Sequence, residues 1–242
     1  MLSKKEMAEH YDRDAPTYDK TRYGGKGGEA YLEMHKEILF SLLGSIKGKS
    51  VLEICVGTGV YSRAISQLGG VAFGLDLSTE MLKQVKNSGG KEAFLIKGDA
   101  ENLPIKANSM DAVICIRAIY FLPNLEKALS EINRVLKPGG LFIFNFLNTS
   151  ALRYRVGAFR IKEQTLHNIP YKEMVKAIEK NNFKLVETVG ASWLPFRLFA
   201  GWAQAPKVLF PSAPLRMERL IRKLLPAEQA HSVFISCRKA SI

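Results

Sequence analysis

A glycine-rich turn and three acidic side chains are the residues best suited to chemistry. The turn, residues 55–59 (C-V-G-T-G), follows an apolar run that carries Glu53, and Asp76 and Asp99 stand at the ends of two later apolar runs. Glycine lets a backbone approach a ligand closely because it has no Cβ atom. An acid at the end of a second strand can accept hydrogen bonds from two ribose hydroxyls. The spacing therefore predicts a site for a nucleoside-containing cofactor.

The turn does not fit a dinucleotide. The dinucleotide fingerprint has three glycines in the pattern G-x-G-x-x-G. With Gly57 and Gly59 as the first two glycines of the pattern, the third position holds Ser62. With Gly57 as the second glycine, the first position holds Cys55 and the third holds Val60. A chain of 242 residues is also short for the second half-domain that a dinucleotide needs.

Short apolar runs alternate with amphipathic helical patterns along the chain. Strands are predicted over residues 50–55, 71–76, 93–97, 111–116, 141–147, 183–189 and 231–238. Helices are predicted over residues 60–68, 79–87, 125–136, 171–181 and 215–225. Ser78 is expected to cap the second helix, and Pro138-Gly139-Gly140 to end the third. This alternation is typical of an α/β fold with a doubly wound, mostly parallel sheet.

Residues 1–242 are expected to form a single domain, since 47% hydrophobic residues can supply one substantial core. Residues 1–45 are interpreted as an N-terminal helical cap that is interrupted around residues 24–28. Two stretches, 148–170 and 190–229, lack simple periodicity. The three cysteines lie in apolar surroundings, which favours buried core positions over a disulfide framework, and no metal site is predicted.

Five motifs together carry a family resemblance: VLEICVGTG, GLDLSTEML, GDAENLPI, DAVICI and EINRVLKPGG. In this order and spacing the chain resembles the class I S-adenosylmethionine-dependent methyltransferases, most closely the methyltransferase type 11 group, which includes the ubiquinone/menaquinone C-methyltransferases. The resemblance is strong over residues 50–147. It implies a Rossmann-like sheet of seven strands in the order 3-2-1-4-5-7-6 with strand 7 antiparallel. It also implies S-adenosyl-L-methionine as cofactor and S-adenosyl-L-homocysteine as product.

The resemblance assigns cofactor-binding roles to thirteen residues. Glu53, Gly57, Thr58 and Gly59 are implied to bind the methionine part. Asp76 is implied to bind the ribose, and the adenine is implied to contact Leu77, Met81, Asp99 and Ala100. Arg117 is implied to supply backbone to the cofactor, and Tyr11, Tyr18 and Arg22 are implied to close over it. Cys55 departs from the family, which usually has glycine there. A cysteine is only modestly larger, so cofactor binding is expected to survive.

The methyl acceptor is not encoded in these motifs. Methyl transfer needs a general base only when the acceptor must lose a proton, and the candidates for contact with the acceptor are Tyr120 and His167. In the family sheet, stretches 148–170 and 190–229 follow strand ends on the ligand side, which predicts acceptor-side insertions. The aromatics of residues 193–225 then form either a substrate lid or a loop packed on the core.

A small-molecule acceptor is favoured over a macromolecule. The chain has Arg117–Tyr120 (R-A-I-Y) where amino-group modifiers of nucleic acid and protein carry Asn/Asp-Pro-Pro-aromatic, and no nucleic-acid-binding module is evident. A non-catalytic S-adenosylmethionine-binding protein is the alternative from another class. The intact Gly57, Gly59, Asp76 and Asp99 argue against it.

The net charge of +12 comes mainly from residues 148–230, which hold fourteen basic and six acidic residues. This excess is interpreted as a solvated basic surface, a site for an anionic acceptor, or a peripheral membrane contact for a lipid or quinone acceptor. Arginines and leucines interleave over residues 215–225, a pattern that favours the membrane surface. With no signal peptide or spanning segment apparent, a cytoplasmic location is expected. The sequence does not indicate the oligomeric state.

Overall fold

The computed structural model describes residues 3–88, 93–151, 169–193 and 213–240. Its helices are α1 (Lys4–Asp14), α2 (Tyr18–Tyr23), α3 (Gly25–Leu43), α4 (Val60–Gln67), α5 (Thr79–Asn87), α6 (Leu125–Val135), α7 (Tyr171–Lys180) and α8 (Ala213–Leu224). Its strands are β1 (Ser50–Ile54), β2 (Val71–Asp76), β3 (Phe94–Lys97), β4 (Met110–Cys115), β5 (Leu136–Leu147), β6 (Phe183–Ala191) and β7 (Ser232–Lys239). Within these ranges, no helix combines the length and apolar character needed to cross a membrane.

The seven strands form one sheet in the order β3-β2-β1-β4-β5-β7-β6. The pairs from β3 to β5 are parallel, and β7 lies antiparallel between β5 and β6. The predicted order and the direction of the last strand are therefore confirmed. The order reverses next to β1, so β1 and β4 end beside the crevice in which ligands of such sheets bind.

Alternating side chains of β5 divide the core between the two faces of the sheet. Phe142, Phe144 and Phe146 are fully buried in a cluster that includes α6 and α7. Ile143 faces the other way, into a cluster with α3 and α4. Because successive strand residues point to opposite faces, one strand supplies both cores, and the loops at the sheet edge rest on a rigid base.

The junction of α6 with β5 differs most from the sequence-based expectation. Helix α6 ends at Val135 and β5 begins at once at Leu136, so Pro138-Gly139-Gly140 does not precede the strand but lies inside it. The segment forms an irregularity in the pairing of β4 with β5, and Gly139 has a φ of 71°. Glycine adopts this left-handed backbone without strain. Proline at such an irregularity costs no ladder hydrogen bond.

The N-terminal segment breaks twice. The break at Gly24 lies where the sequence predicts it, but a 3-10 turn at Ala15–Thr17 also separates α1 from α2. Pro16 explains this turn, since proline cannot donate the backbone hydrogen bond that a continuous helix requires. Neither α1 nor α2 buries a residue in the core. These helices are therefore held to the domain mainly by contacts at their polar side chains.

Candidate active site

The turn after β1 brings the backbone to the edge of the sheet in a left-handed conformation. Gly57 and Gly59 have φ values of 54° and 75°, and Cys55 has 57°. The two glycines serve different purposes. A Cβ atom on Gly57 would meet nothing within 4 Å, whereas one on Gly59 would lie 2.8 Å from Cγ1 of Val85 on α5. Gly57 thus leaves open space, and Gly59 allows the turn to pack against a helix.

Asp76, at the end of β2, lies beside this turn. Its Oδ2 accepts a hydrogen bond from the Gly57 N–H at 2.8 Å, and its Oδ1 accepts one from the Ser78 N–H at 2.9 Å. The residue is 9% exposed. Burial raises the pKa of the carboxyl, although the two backbone N–H groups act in the opposite direction. Each oxygen keeps acceptor capacity for a ligand hydroxyl.

Glu53, on β1, does not line the cleft but lies behind the turn. Its Oε2 accepts hydrogen bonds from the Ser62 N–H at 2.8 Å and the Ser62 hydroxyl at 2.5 Å, at the start of α4. The side chain is buried, and that burial raises the pKa of Glu53 to about 8. The carboxyl therefore braces the helix that carries the turn. It is largely protonated at neutral pH.

Asp99 lies just beyond β3 and pairs with a residue that the sequence did not single out. Lys4 Nζ lies 2.6 Å from Asp99 Oδ2 and 2.5 Å from Glu101 Oε2. Glu101 is buried and also accepts the Asn124 N–H at 2.6 Å. The lysine loses hydration, but the two carboxylates outweigh that loss and raise its pKa. Helix α1 is thus anchored over the end of β3.

Two further polar links hold the N-terminal segment against the cleft. Asp12 on α1 accepts hydrogen bonds from the Ser78 hydroxyl at 2.6 Å and the Glu80 N–H at 3.0 Å. The Thr58 hydroxyl donates to Asp19 on α2 at 2.6 Å. These contacts join α1 and α2 to the loops after β1 and β2. The segment therefore covers the carboxyl ends of the strands.

The tyrosines of this segment face inward. Tyr11 and Tyr18 line the cleft, and the Tyr11 ring packs edge-on against Phe121 with centroids 6.4 Å apart. Arg22 does not line the cleft. It lies over the Tyr18 ring at 5.4 Å from the centroid and pairs with Asp14 at 3.6 Å. Arg22 is therefore placed to orient Tyr18.

Arg117, directly after β4, combines a strained backbone with a buried cation. Its φ is 62°, and its N–H donates to Asn145 Oδ1 at 2.6 Å, while Asn145 donates to Ser232 on β7. The guanidinium lies over the rings of Tyr23 and Tyr31, at 5.2 and 5.5 Å from their centroids. The hydrogen bond to Asn145 holds the backbone, so the side chain is fixed at the cleft wall.

Tyr120 and His167 were the candidates for acceptor chemistry. Tyr120 is 8% exposed and packs against Phe121, with ring centroids 4.8 Å apart, rather than lining the cleft itself. Burial raises the pKa of Tyr120 above its ordinary value. The phenol is therefore neutral at physiological pH and suited to donate a hydrogen bond, not to remove a proton. His167 lies outside the described residues.

These elements enclose a cleft of about 770 Å³, including its opening to solvent. Nine of the thirteen predicted cofactor residues line it: Tyr11, Tyr18, Gly57, Asp76, Leu77, Met81, Asp99, Ala100 and Arg117. Arg22, Glu53, Thr58 and Gly59 lie in the surrounding layer. Half of the remaining lining comes from α1, with Lys4, Met7 and Ala8, and from residues 121–123.

Comparison with known proteins identifies this arrangement. A methyltransferase-domain family model matches residues 52–144. Over 169 residues, 69% of this chain, the sequence is 31% identical to the malonyl-[acyl-carrier protein] O-methyltransferase of Hamiltonella defensa, and the match spans only 61% of that enzyme. An uncharacterized protein of Methanocaldococcus jannaschii is 30% identical over 212 residues, 77% of this chain and 79% of that protein.

The chain belongs to the S-adenosylmethionine-dependent methyltransferase family. Its fold agrees: the crystal structure of an S-adenosylmethionine-dependent methyltransferase from Thermotoga maritima superposes with a TM-score of 0.65 over 96% of this chain and 99% of that one, at 23% identity. The family's cofactor is S-adenosylmethionine. The motif-based resemblance is thereby confirmed.

The residues of the cleft fit that cofactor. Asp76 offers carboxylate oxygens that can accept hydrogen bonds from ribose hydroxyls, and Gly57 leaves its backbone open to the cleft. Met81 and Leu77 supply apolar surface for a base. Cys55 also lines the cleft, and burial raises the pKa of its thiol. It is therefore a neutral side chain there and not a nucleophile.

The unequal surroundings of Gly57 and Gly59 lead to a prediction. Gly59→Ala should lower the free energy of unfolding by about 1–3 kcal/mol, because its Cβ would overlap Val85 and the backbone is left-handed. Gly57→Ala carries the backbone cost without the overlap and instead fills space in the cleft. Denaturant unfolding should thus show Gly59→Ala to be the less stable of the two variants. Titration with S-adenosylhomocysteine should show Gly57→Ala to be the weaker binder. Equal stability losses would contradict the assignment.

Proposed function

We propose that this protein transfers a methyl group from S-adenosylmethionine to a small-molecule acceptor. The observation that carries the proposal is a cleft at the carboxyl ends of four parallel strands, with Asp76 at its wall and the N-terminal helices drawn over it. Lys4, Asp12 and Asp19 supply the contacts that draw them there. A cleft covered in this way surrounds a small reactant and limits its contact with water.

The chain's own contribution is binding, orientation and exclusion of water. S-adenosylmethionine, when bound, supplies a methyl group on a sulfonium sulfur that is displaced in line by the acceptor. Asp76 would hold the ribose, and Met81 would pack on the adenine. Tyr11 and Tyr18 would cover the reacting end. Fixing both reactants in line is worth several kcal/mol of the activation barrier without any acid–base step.

Among the described residues, no strong general base faces the cleft. Burial raises the pKa of Tyr11 as it does that of Tyr120, so both phenols stay protonated at neutral pH. Asp76 and Asp99 are engaged by backbone N–H groups and by Lys4. This favours an acceptor that is already nucleophilic, such as a carboxylate, an amine or an acidic carbon or hydroxyl, over one that must be deprotonated by the enzyme.

Two measurements test the proposal. Calorimetric titration should show binding of S-adenosylmethionine and S-adenosylhomocysteine, and failure of both to bind contradicts it. Formation of S-adenosylhomocysteine is then measured with a small-molecule fraction and with a macromolecular fraction of a cell extract. Turnover with the first fraction alone is the expected result. Turnover only with the second contradicts a small acceptor, and binding without turnover in either favours a non-catalytic binding protein.

A lipid or quinone acceptor at a membrane surface is the second candidate, and α8 favours it. Met217, Leu220 and Leu224 are exposed by 52%, 58% and 70%, while Glu218 on the same helix is buried. Exposed apolar side chains beside arginines are typical of interfacial helices. Sedimentation with anionic vesicles should fall several-fold in a Leu220→Gln, Leu224→Gln variant. Binding that is equal in the variant and the wild type, or absent from both, contradicts this role.

A further inference from the structure

Two partly buried arginines, one at the cleft and one on α8, carry buried hydrogen-bond donors that the described residues do not use. Arg117 follows β4 and lines the cleft, and Arg222 lies on α8. Among the described residues, Nη1 of Arg117, and Nε and Nη2 of Arg222, are buried without a hydrogen-bond partner. A buried donor without an acceptor destabilises a fold, and more so when it is charged. Donors of this kind are suited to a ligand that brings acceptor oxygens.

Among the described residues, the charge of Arg117 is not balanced by an acid. Burial acts to lower the pKa of Arg117, whereas the nearby tyrosines raise it, and no described carboxylate forms an ion pair with it. Contacts with the faces of Tyr23 and Tyr31 stabilise the cation modestly. Removing a cation from water is more costly, and the aromatic contacts alone do not offset that cost.

Arg222 differs from Arg117 in its surroundings. Its Nη1 lies 3.9 Å from Glu37 Oε1, and Glu218, one helical turn earlier, also acts on its charge. Burial nevertheless lowers the pKa of Arg222 from its ordinary value. Its charge is therefore partly offset by these two acids, of which Glu37 also pairs with Arg219 at 2.6 Å. What it adds to the site is the pair of unused donors at Nε and Nη2.

His35 on α3 links the two arginines. The centroid of its ring lies 4.1 Å from that of the Tyr31 ring, and the Arg117 guanidinium lies over the same Tyr31 ring. Burial depresses the pKa of His35, and the charges of Arg117 and Arg222 lower it further. Among the described residues, neither buried ring nitrogen has a hydrogen-bond partner. The imidazole is thus neutral and lies within electrostatic range of both guanidinium groups.

We propose that Arg117 and Arg222 bind an acidic group of the methyl acceptor, either a carboxylate or a phosphate, beside the cofactor cleft. The proposal rests on the proposed function, because it names the class of acceptor for the same site. A guanidinium presents a planar set of donors that matches the oxygens of both groups. An acid there would balance Arg117 and satisfy the unused donors. Since Arg117 lines the cleft, the acid would also bring the acceptor to the reacting end.

Titration of the S-adenosylhomocysteine-saturated protein with acetate and, separately, with inorganic phosphate tests the proposal. Binding is followed through the arginine Nε–H resonances, at constant ionic strength with chloride. One or both anions should bind, and Arg117→Gln and Arg222→Gln should each weaken that binding by about tenfold or more. The two titrations distinguish a carboxylate from a phosphate. Arg117→Lys keeps the positive charge but loses the planar set of guanidinium donors. Its affinity for the anion should lie between those of the wild type and Arg117→Gln.

Arg216→Gln is the matched control, since Arg216 is exposed on α8 and its loss changes the net charge equally. It should leave anion binding unchanged. Retained S-adenosylhomocysteine binding in Arg222→Gln and Arg216→Gln, together with a cooperative unfolding transition in Arg117→Gln, shows that the variants are folded and that the proposed function stands apart from this inference. The inference is overturned if neither anion binds the saturated protein, or if the control weakens binding as much as the two buried arginine variants do. Loss of S-adenosylhomocysteine binding in the wild type would instead refute the proposed function.

Discussion

Asp76→Asn should weaken the binding of S-adenosylhomocysteine by about 10–100-fold. The two carboxylate oxygens each accept a backbone N–H, from Gly57 and Ser78, and also face the space where the ribose hydroxyls would lie. Asparagine offers one acceptor oxygen and one NH₂ donor, so one backbone N–H loses its partner and one ribose hydroxyl loses an acceptor. The backbone loss is present with and without ligand, so the affinity reports the lost ribose acceptor, which is worth about 1–3 kcal/mol, and 1.4 kcal/mol corresponds to tenfold in affinity.

Asp111→Asn provides the control for this variant. Asp111 stands near the start of β4, at the opposite edge of the sheet, where it binds Lys137 at 2.7 Å and the Ser50 N–H at 2.9 Å. The substitution makes the same change in charge and shape far from the cleft. Calorimetry should therefore find its affinity for S-adenosylhomocysteine unchanged. If Asp76→Asn binds as tightly as this control, the placement of the ribose at Asp76 is wrong.

The sheet and its cleft edge could be predicted because their signals are local. Apolar runs fix the strands, and acids at 76 and 99 mark strand ends within a few residues of each run. Ser78 caps α5 as predicted, with its hydroxyl accepting the Met81 N–H at 3.0 Å. The order of the strands in the sheet could not be predicted from the hydrophobic pattern alone. It came from the family resemblance, since the alternation of strands and helices permits several parallel orders.

The docking of α1 could not be predicted, because it depends on pairs far apart in sequence. Lys4 meets Asp99, and Asp12 meets Ser78, across 95 and 66 residues. No periodic pattern records such pairs. The one local signal was Ser3 with Glu6, which form a capping box and mark where the helix begins. That signal locates α1 along the chain but not against the sheet.

Residue type alone also fails to separate two uses of one amino acid. Gly57 and Gly59 stand in one motif, yet only Gly57 opens onto the cleft while Gly59 packs against Val85. Arg117 was expected to contribute its backbone. Its guanidinium becomes informative only when the fold places Tyr23 and Tyr31 around it and no carboxylate is found among its described neighbours. Both distinctions depend on tertiary packing.

Glu53 should make the stability of the protein depend on pH between about 5 and 8. Burial raises its pKa from about 4.5 in the unfolded chain to about 8 in the folded one. Below pH 4.5 the carboxyl is protonated in both states, and the stabilisation from holding the proton is fully present. As the pH rises toward 8, the unfolded chain loses that proton while the folded chain keeps it, so the free energy of unfolding falls. One pKa unit is worth 1.36 kcal/mol, which gives an upper limit of roughly 4–5 kcal/mol.

Glu53→Gln removes this titration while keeping a hydrogen-bond acceptor for Ser62. Denaturant unfolding of both proteins from pH 5 to 8.5 should show the variant gaining stability relative to the wild type as the pH rises. Glu126→Gln, at an exposed residue bound to Asn181 and Lys180, should lack that trend. A difference between wild type and Glu53→Gln that stays constant with pH would mean that Glu53 is ionised in the folded protein.

The ionisation of Glu53 should also be coupled to the binding of the cofactor. The resemblance places Glu53 at the methionine part of S-adenosylmethionine, whose ammonium and sulfonium groups favour an ionised carboxylate. Binding should therefore release a proton from Glu53 at pH 7, seen as a dependence of the calorimetric heat on the ionisation enthalpy of the buffer. The release should vanish in Glu53→Gln and persist in Glu126→Gln. If the wild type releases no proton, Glu53 does not contact the methionine part of the cofactor. Its role is then to brace α4 through its hydrogen bonds to Ser62.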